Sequence, residues 1–170
     1  MKIKLTKFER ADFDQLIAWL DTKELLLTIA GTVLTYPLTR EQLVNYVNDP
    51  KSLSFNVVDV DENKSIGHAE IILTGVDTCK LDKVLIGDKS MRGKGIGDKL
   101  MRELLRYSFE ELNMNEVELN VYDWNQGAIR CYEKVGFVIN PEIVLMTDLD
   151  DIHWKTLNMR IDKDKWNGVV

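Results

Sequence analysis

Cysteine, histidine and proline are scarce in this chain of 170 residues, and each scarcity excludes a class of structure. The two cysteines, Cys79 and Cys131, match no metal-binding spacing, and the two histidines, His68 and His153, are too few and too scattered for a zinc site. We therefore predict no bound metal, and two free thiols in a reducing compartment, which indicates a cytoplasmic protein. With three prolines and ten glycines, little of the chain has the composition of a linker.

Long apolar runs are also missing. The longest uncharged stretch, which includes Leu25 to Leu38, is shorter than the roughly 18 apolar residues that a membrane-spanning helix needs. We predict a buried segment or pocket wall there instead. No apolar segment follows the basic start at Lys2 and Lys4, so no signal peptide is expected. The length and the 45% hydrophobic fraction predict one globular domain over residues 1–170, with no membrane partner.

The net charge of −6 is unevenly spread along the chain. The stretch from Lys80 to Arg106 holds eight basic and four acidic residues, a local charge of +4, so the remainder carries −10. An acidic protein with one basic segment is a poor nucleic-acid binder, and no nucleic-acid partner is predicted. The basic segment suits a small polyanion and the acidic remainder suits a cationic second substrate, although solvated helix faces give the same counts.

Hydrophobic periodicity predicts elements in the order β-α-α-β-β-β-α-β-α-β-β. The predicted strands are Lys2–Phe8, Leu53–Val60, Ser65–Leu73, Leu81–Ile86, Val117–Val121, Ile143–Thr147 and His153–Ile161. The predicted helices are Ala11–Leu20, Thr39–Asn48, Ile96–Leu112 and Asn125–Val135, and Thr39 with Gln42 forms a predicted capping box. This order predicts an α/β (α+β) fold, with a mixed, mostly antiparallel twisted sheet of about seven strands and helices on both faces.

The most informative segment is the glycine-rich run from Arg92 to Gly97, between a predicted strand and a long amphipathic helix. Glycines let the backbone approach a ligand closely, and the first amides of a helix lie unpaired at the positive end of its dipole. The run therefore predicts an anion site suited to phosphate or pyrophosphate, with Arg92, Lys94 and Lys89 adding charge. A plain strand-to-helix turn without a ligand is the alternative.

Two better-known phosphate loops do not fit this run. A Walker A loop needs Ser or Thr after its Gly-Lys pair, whereas Gly95 follows Gly93-Lys94 here. A dinucleotide fingerprint needs the spacing G-x-G-x-x-G, but these glycines alternate and position 98 is Asp. A nucleotide-binding protein that uses the same loop is therefore a weaker alternative.

The segment from Leu85 to Gly97 resembles the acetyl-CoA motif of the GNAT N-acetyltransferases, (R/Q)-x-x-G-x-(G/A), with Arg92, Gly95 and Gly97 at its three fixed places. The resemblance implies that the loop amides hold the CoA pyrophosphate and that the preceding strand pairs with the pantetheine arm. Acetyl-CoA is then a cosubstrate. The residues implied in its binding are Leu85, Ile86, Gly87, Arg92, Gly93, Lys94, Gly95, Ile96, Gly97 and Asp98.

A second segment, Asn125 to Phe137, resembles the pattern N-x-x-A-x-x-x-Y-(E/R)-K-x-G-F of the same family. Asn125, Ala128 and Tyr132 are spaced i, i+3 and i+7, so they share one helix face. A small alanine leaves room for a narrow ligand arm, and Asn125 and Ala128 are predicted to line the cosubstrate. Tyr132 is predicted to be the general acid that protonates the leaving thiolate, and ordinary amphipathic packing is the alternative.

The resemblance implies direct attack by the amine without an acyl-enzyme. Glu70 is the predicted general base, and a solvated strand carboxylate is the alternative. It lies on the strand just before the CoA strand, and alternation puts it on the same face as His68. If that face is the acceptor pocket, Glu70 can accept the proton of the amine directly or through water. Asp82 and Asp88 are weaker candidates. A strand amide near Ile86 or Gly87 is predicted to stabilise the oxyanion.

The identity of the amine acceptor is left open by the sequence. Tyr36, Trp124 and Trp154 are candidate walls of the acceptor pocket. Each is also a normal core aromatic, and that interpretation is preferred for Trp154, which leaves Tyr36 and Trp124 as the predicted acceptor residues. The segments Tyr36-Pro37-Leu38 and Trp154-x-x-Leu157-x-Met159 resemble the branch that includes ribosomal-protein N-terminal acetyltransferases. Peptide N-termini, aminoglycosides and polyamines all fit a cationic acceptor. A monomer or homodimer is expected, and a non-catalytic acyl-CoA-binding or sensing module is the alternative function.

Overall fold

The computed structural model describes residues 1–166 and residue 168. Within them the chain forms five helices and seven strands. The helices are α1 (Phe13–Trp19), α2 (Lys23–Ala30), α3 (Arg40–Val47), α4 (Ile96–Arg106) and α5 (Gln126–Lys134). The strands are β1 (Ile3–Lys7), β2 (Ser52–Asp59), β3 (Lys64–Leu73), β4 (Thr78–Ile86), β5 (Glu116–Tyr122), β6 (Val138–Leu149) and β7 (Ile152–Asp162).

The strands are hydrogen-bonded in the order β1-β2-β3-β4-β5-β7-β6. The pairs β1/β2, β2/β3, β5/β7 and β6/β7 are antiparallel. Strand β4 pairs parallel to β5 over the register from Thr78 to Leu81. The prediction of a mixed, mostly antiparallel sheet of seven strands is therefore confirmed.

The chain divides into two compact units, residues 1–72 with 82–96 and residues 73–81 with 97–170, and strand β4 contributes residues to both. Each unit buries its own apolar residues. In the first unit the core consists of Phe8, Phe13, Leu16, Leu20, Leu26, Ala30, Leu34, Leu38, Leu43, Tyr46 and Leu85. In the second unit the fully buried large side chains are Leu100, Met101, Leu104, Leu105, Phe109, Phe137 and Met159.

Helix α2 begins just before residues 25–38, a segment that the sequence predicted only as a buried segment or pocket wall. Thr22 caps its first turn by accepting a hydrogen bond from the Leu25 amide at 3.2 Å, and Gly31 ends it with a φ of +56°. Leu26 is buried on the inner side of the helix. The apolar residues of this segment are contiguous rather than spaced at the helical period, so periodicity did not reveal the helix.

Helix α3 begins after Thr39 as predicted, but the predicted capping box is only half formed. Thr39 Oγ1 accepts a hydrogen bond from the Gln42 amide at 3.3 Å. The Gln42 side chain instead accepts from the Thr35 amide at 2.8 Å and donates to the carbonyl oxygens of Thr35 and Pro37. Gln42 therefore fixes the preceding loop, which offers it three backbone partners.

Two elements differ in length from their predictions. Helix α4 ends at Arg106 and continues as a π-helical turn over Tyr107–Glu111, where one helix to Leu112 was predicted. The Arg106 guanidinium lies 2.9 Å from a carboxylate oxygen of Glu103 and the same distance from one of Glu111. Strand β6 is longer than predicted, because main-chain pairing with β7 continues beyond the short apolar run that marked it.

Within the described residues, no helix combines the length and the apolar character that crossing a membrane requires. The same part of the chain contains no group of three or more His, Cys, Asp or Glu side chains arranged to hold a metal ion.

Candidate active site

The glycine-rich loop after β4 has a backbone that only glycine adopts readily. Gly93 and Gly95 have φ values of +74° and +75°. A Cβ built at either position would meet no atom within 4 Å, so the backbone faces open space there. The exposed loop leads directly into α4 at Ile96, where the first amides of the helix lack intrahelical partners. These features suit a bound anion.

The strand end before the loop is fixed by backbone contacts. The Gly87 amide donates to the Ile66 carbonyl at 3.0 Å, which ties it to β3. Successive residues in a strand turn their amides to opposite sides, so the main-chain groups of Ile86 face away from β3. The Ile86 carbonyl accepts a hydrogen bond from Arg92 Nε at 3.0 Å. A Cβ at Gly87 would lie 2.0 Å from the Trp19 ring, so this glycine lets the ring lie against the strand.

Charged side chains hold the loop in shape. Lys64 Nζ lies 2.6 Å from Asp88 Oδ2, and the Ser90 amide donates to Asp88 Oδ1 at 3.0 Å. The hydrogen bond from Lys64 lowers the pKa of Asp88 to about 2, with smaller contributions from Ser90. Lys89 lies 3.8 Å from Asp21. Asp88 is therefore a structural anion, which weakens its case as a general base.

Glu70, the predicted base, lies in a buried ion pair. Its residue is 1% exposed, and Oε2 lies 2.6 Å from Lys83 Nζ. The alternative of a solvated strand carboxylate is therefore wrong. Lys83 is itself 5% exposed and has a φ of +48°, a left-handed conformation in the middle of β4. The Lys83 amide donates to Asp82 Oδ1 at 2.9 Å, and its ammonium lies 3.4 Å from Asp82 Oδ2.

Two further polar groups complete this cluster. The Tyr46 hydroxyl lies 2.9 Å from His68 Nε2, and the Lys83 ammonium lies 5.1 Å from the centre of the Tyr46 ring. Burial, and then the charge of Lys83, lowers the pKa of His68 to about 3, so this ring is neutral at physiological pH. Burial, and then the charge of Glu70, raises the pKa of Tyr46 well above its usual value.

The second unit carries the helix face that the sequence predicted. Asn125 caps α5, where its Oδ1 accepts a hydrogen bond from the Ala128 amide at 3.2 Å. Asn125, Ala128 and Tyr132 are all half-buried. The Tyr132 ring lies 6.2 Å from that of Phe137. The predicted helix therefore forms with its predicted start, and Asn125 has a structural role there as its cap.

Both cysteine thiols lie in surroundings that keep them protonated. Burial, followed by a hydrogen bond to Asp98, raises the pKa of Cys131 to about 12. The same Asp98 carboxylate forms an ion pair with Lys134, which lowers the pKa of Asp98. Burial also raises the pKa of Cys79. Because the thiolate is the reactive form, neither cysteine is a ready nucleophile.

The two predicted acceptor residues are exposed aromatics. Tyr36 is 49% exposed, and its hydroxyl donates to the Asp21 carbonyl at 3.3 Å. Trp124 is 44% exposed and stacks on Tyr122 with ring centres 5.8 Å apart. Trp154 meets the Trp124 ring edge-on at 5.0 Å. Tyr36, Glu70 and the glycine loop belong to the first unit, and Trp124 with the α5 face belongs to the second.

Two residues of this cluster, Lys83 and Tyr46, were not predicted from the sequence. Strand β4 buries alternate residues, and Lys83 lies at a buried position between Leu81 and Leu85. A lysine in the apolar phase of a strand was the available signal, because such a side chain needs a buried partner. Tyr46 gave no comparable signal, since its place on the apolar face of α3 is ordinary for an aromatic residue.

The family model described as "Acetyltransferase (GNAT) family" matches residues 13–137, which is more than half of the chain. The chain belongs to this family. The family resemblance drawn from the two sequence segments is therefore confirmed at the level of the family.

Individual curated relatives align with only part of this chain. The chain is 24% identical over 131 residues to the human Alpha/beta-tubulin-N-acetyltransferase 9, an alignment that covers 70% of this chain and 63% of that protein. It is 35% identical over 63 residues to a probable spermine N(1)-acetyltransferase from Bacillus subtilis subsp. natto, covering 37% of this chain and 41% of that protein. The chain thus spans less than two thirds of the length of these relatives.

The fold also matches a solved structure closely. The spermidine N-acetyltransferase from Vibrio cholerae, determined in complex with CoA and spermine, superposes with a TM-score of 0.81 at 22% identity. The match covers 96% of each chain. At this identity the likeness establishes the fold, which is that of the family.

Proposed function

We propose that this chain is an N-acetyltransferase that moves the acetyl group of acetyl-CoA to a primary amine by direct attack. The observation that carries the proposal is the loop with left-handed Gly93 and Gly95 before the first turn of α4. Its open backbone suits a pyrophosphate, and membership of the acetyltransferase family supports the choice of CoA over other polyanions.

The residues around the loop fit the chemistry of CoA. The amides from Gly93 to Asp98 would hold the pyrophosphate, with Arg92 and Lys94 supplying positive charge. The Ile86 carbonyl, which faces away from β3, would accept a hydrogen bond from a pantetheine amide, with Leu85 and Gly87 on either side. On α5, the half-buried Asn125 and Ala128 would line the pantetheine arm.

The proton chemistry needs one acceptor and one donor. Glu70 takes one proton from the ammonium of the acceptor, and its 1% exposure requires an intervening water. The freed amine forms a C–N bond as the C–S bond breaks. Tyr132 gives its proton to the departing thiolate sulfur and takes the second proton of the amine. The Gly87 amide donates to Ile66, so the Ile86 amide is the proposed donor to the oxyanion.

The acceptor is proposed to be a cationic amine. The charge of −10 outside Lys80 to Arg106 favours it, and the exposed rings of Tyr36 and Trp124 offer apolar and cation–π contacts. The likeness to spermidine and spermine acetyltransferases favours a polyamine over an aminoglycoside or a peptide N-terminus. A peptide N-terminus ranks second as the acceptor, because Tyr36-Pro37-Leu38 and the Trp154 strand resemble the ribosomal-protein branch.

We further propose that residues 1–170 act as a single acetyltransferase domain, because the family match from 13 to 137 runs through both compact units. The net charge of −6 argues against a nucleic-acid partner, and the two free thiols argue for the cytoplasm. No membrane partner is proposed, and a monomer or homodimer is the proposed state.

The test is thiol release from acetyl-CoA against spermidine, spermine, aminoglycosides and peptides with free N-termini. Release with polyamines alone would support the full proposal, and release with peptides alone would select the ribosomal-protein branch. Calorimetry with CoA runs in parallel. Binding without release from any amine would favour a non-catalytic sensing module, and absence of CoA binding would overturn the proposal.

A further inference from the structure

Lys83 is an unusual residue for a buried position in a β-strand. Lys83 occupies a position between buried Leu81 and Leu85, where another leucine would fill the space without desolvating a charge. Its φ of +48° is a left-handed backbone conformation, which is costly for a residue with a side chain. Replacing a buried ion pair with apolar residues is often neutral or stabilising. Folding alone therefore does not account for Lys83, and a functional reason is needed.

The groups around the Glu70–Lys83 pair come from three elements. Strand β4 supplies Lys83 and, 3.4 Å from its ammonium, Asp82. Helix α3 supplies Tyr46, which interacts with Glu70, and the Tyr46 hydroxyl lies 2.9 Å from His68 on β3. His68 is neutral at physiological pH because burial lowers its pKa to about 3, and Tyr46 is neutral because burial raises its pKa. Among these groups Lys83 is thus the one cation, opposite two carboxylates. Without it, Glu70 would be a buried carboxylate next to a second negative charge.

We propose that Lys83 is a positioning residue for acetyl transfer, whose ammonium keeps the Glu70 carboxylate ionised and fixed beside the Tyr46 hydroxyl. This assignment rests on the proposed function, in which Glu70 accepts the proton of the acceptor. The proton that Glu70 gains comes from the amine and leaves to solvent after each turnover, and Lys83 takes no part in that transfer. Lys83 touches neither acetyl-CoA nor the acceptor and acts through Glu70 alone.

The inference predicts how the pH dependence changes when the charge is removed. In Lys83→Met, burial and Asp82 both favour the protonated form of Glu70, so a higher pH is needed to free the base. We expect the acid limb of kcat/KM to move upward by about one unit or more, which lowers kcat/KM about tenfold or more at a pH on that limb. Lys83→Arg keeps the charge and should return the limb towards its original position.

A second pair of variants separates positioning from stability. Glu70→Gln should lower kcat across the whole pH range, and adding Lys83→Met to it should lower kcat no further, because Lys83 acts only through Glu70. In Glu70→Gln the buried Lys83 ammonium keeps only Asp82, at 3.4 Å, as an ion-pair partner, so its removal in the double variant should raise the melting temperature above that of Glu70→Gln. This comparison stands even where Lys83→Met alone does not fold.

The experiment is the kcat/KM profile of wild type and the four variants, with the best amine and with CoA affinity and melting temperature measured for each. An unmoved acid limb in Lys83→Met, or a further loss of kcat in the double variant, would overturn the role of Lys83 and leave the transferase intact. Wild type that releases no thiol with any amine would overturn the proposed function, and this inference with it.

Discussion

Placing a negative charge in the glycine loop should separate CoA binding from folding. In Gly95→Glu the new side chain enters open space, since a Cβ at Gly95 would meet no atom within 4 Å. Its cost to folding is then the left-handed backbone, a φ of +75°, which for a residue with a Cβ costs about 1–2 kcal/mol. Gly95→Glu should therefore still fold, but its loop should no longer bind an anion.

The effect on binding is electrostatic. Two unit charges about 5 Å apart at an effective dielectric constant of about 20 repel each other by about 3 kcal/mol. CoA carries several phosphate charges, so a loss of affinity of at least about 100-fold is expected for Gly95→Glu. The effect should weaken as salt is added, because the loop from Arg92 to Gly95 is exposed.

Two matched controls isolate the cause. Gly95→Gln has the same shape without the charge, so it should keep most of the affinity that Gly95→Glu loses. Gly31→Glu introduces the same residue at another left-handed glycine, φ +56°, that also faces open space, so it should cost similar stability and leave CoA binding unchanged. Calorimetry with CoA and urea unfolding measure the two quantities.

Two outcomes would contradict this prediction. Equal affinity losses in Gly95→Glu and Gly95→Gln would show that bulk rather than charge matters, which contradicts the open space at the Cβ position. Unchanged CoA affinity in a folded Gly95→Glu would remove the loop from the binding site altogether.

Three further predictions concern the acid, the strand end and the loop. Tyr132→Phe should slow acetyl transfer roughly 10- to 10⁴-fold with CoA affinity kept, and equal single-turnover rates would remove Tyr132 from the acid role. Gly87→Ala should lower the free energy of unfolding by about 1–3 kcal/mol, because its Cβ would lie 2.0 Å from the Trp19 ring; an unchanged urea midpoint would contradict that contact. The pKa of Asp88 is lowered from 3.8 to about 2, chiefly by Lys64, so its stabilisation is present above pH 3.8 and is lost as the pH falls through about 2. Thermal melts of Asp88→Asn should therefore show a smaller loss of stability over that range than wild type.

The sheet could be predicted well from the sequence because its strands show clear apolar alternation. All seven predicted strands exist, and the helix after the loop starts at Ile96 as predicted. The contiguous apolar residues at 25–38 carried no period, so α2 was missed. The end of α4 was also missed, because the apolar stripe continues through Phe109 although the backbone changes to a π-helical turn.

The candidate site was also only partly predictable from the sequence. The anion loop depends on local chain geometry, and glycine spacing encodes this directly. The state of Glu70 depends on Lys83, which lies 13 residues further along the chain on the next strand. No local pattern around Glu70 distinguishes a solvated carboxylate from a buried pair, so the residues alone could name the base but not describe its surroundings.

The protonated thiols have a practical consequence for labelling. Maleimides react with the thiolate, and at neutral pH neither Cys79 nor Cys131 offers one readily. A cysteine introduced at Val76, a fully exposed residue in the turn between β3 and β4, would therefore react first. A fluorophore attached there would report on the protein in solution without replacement of either native cysteine.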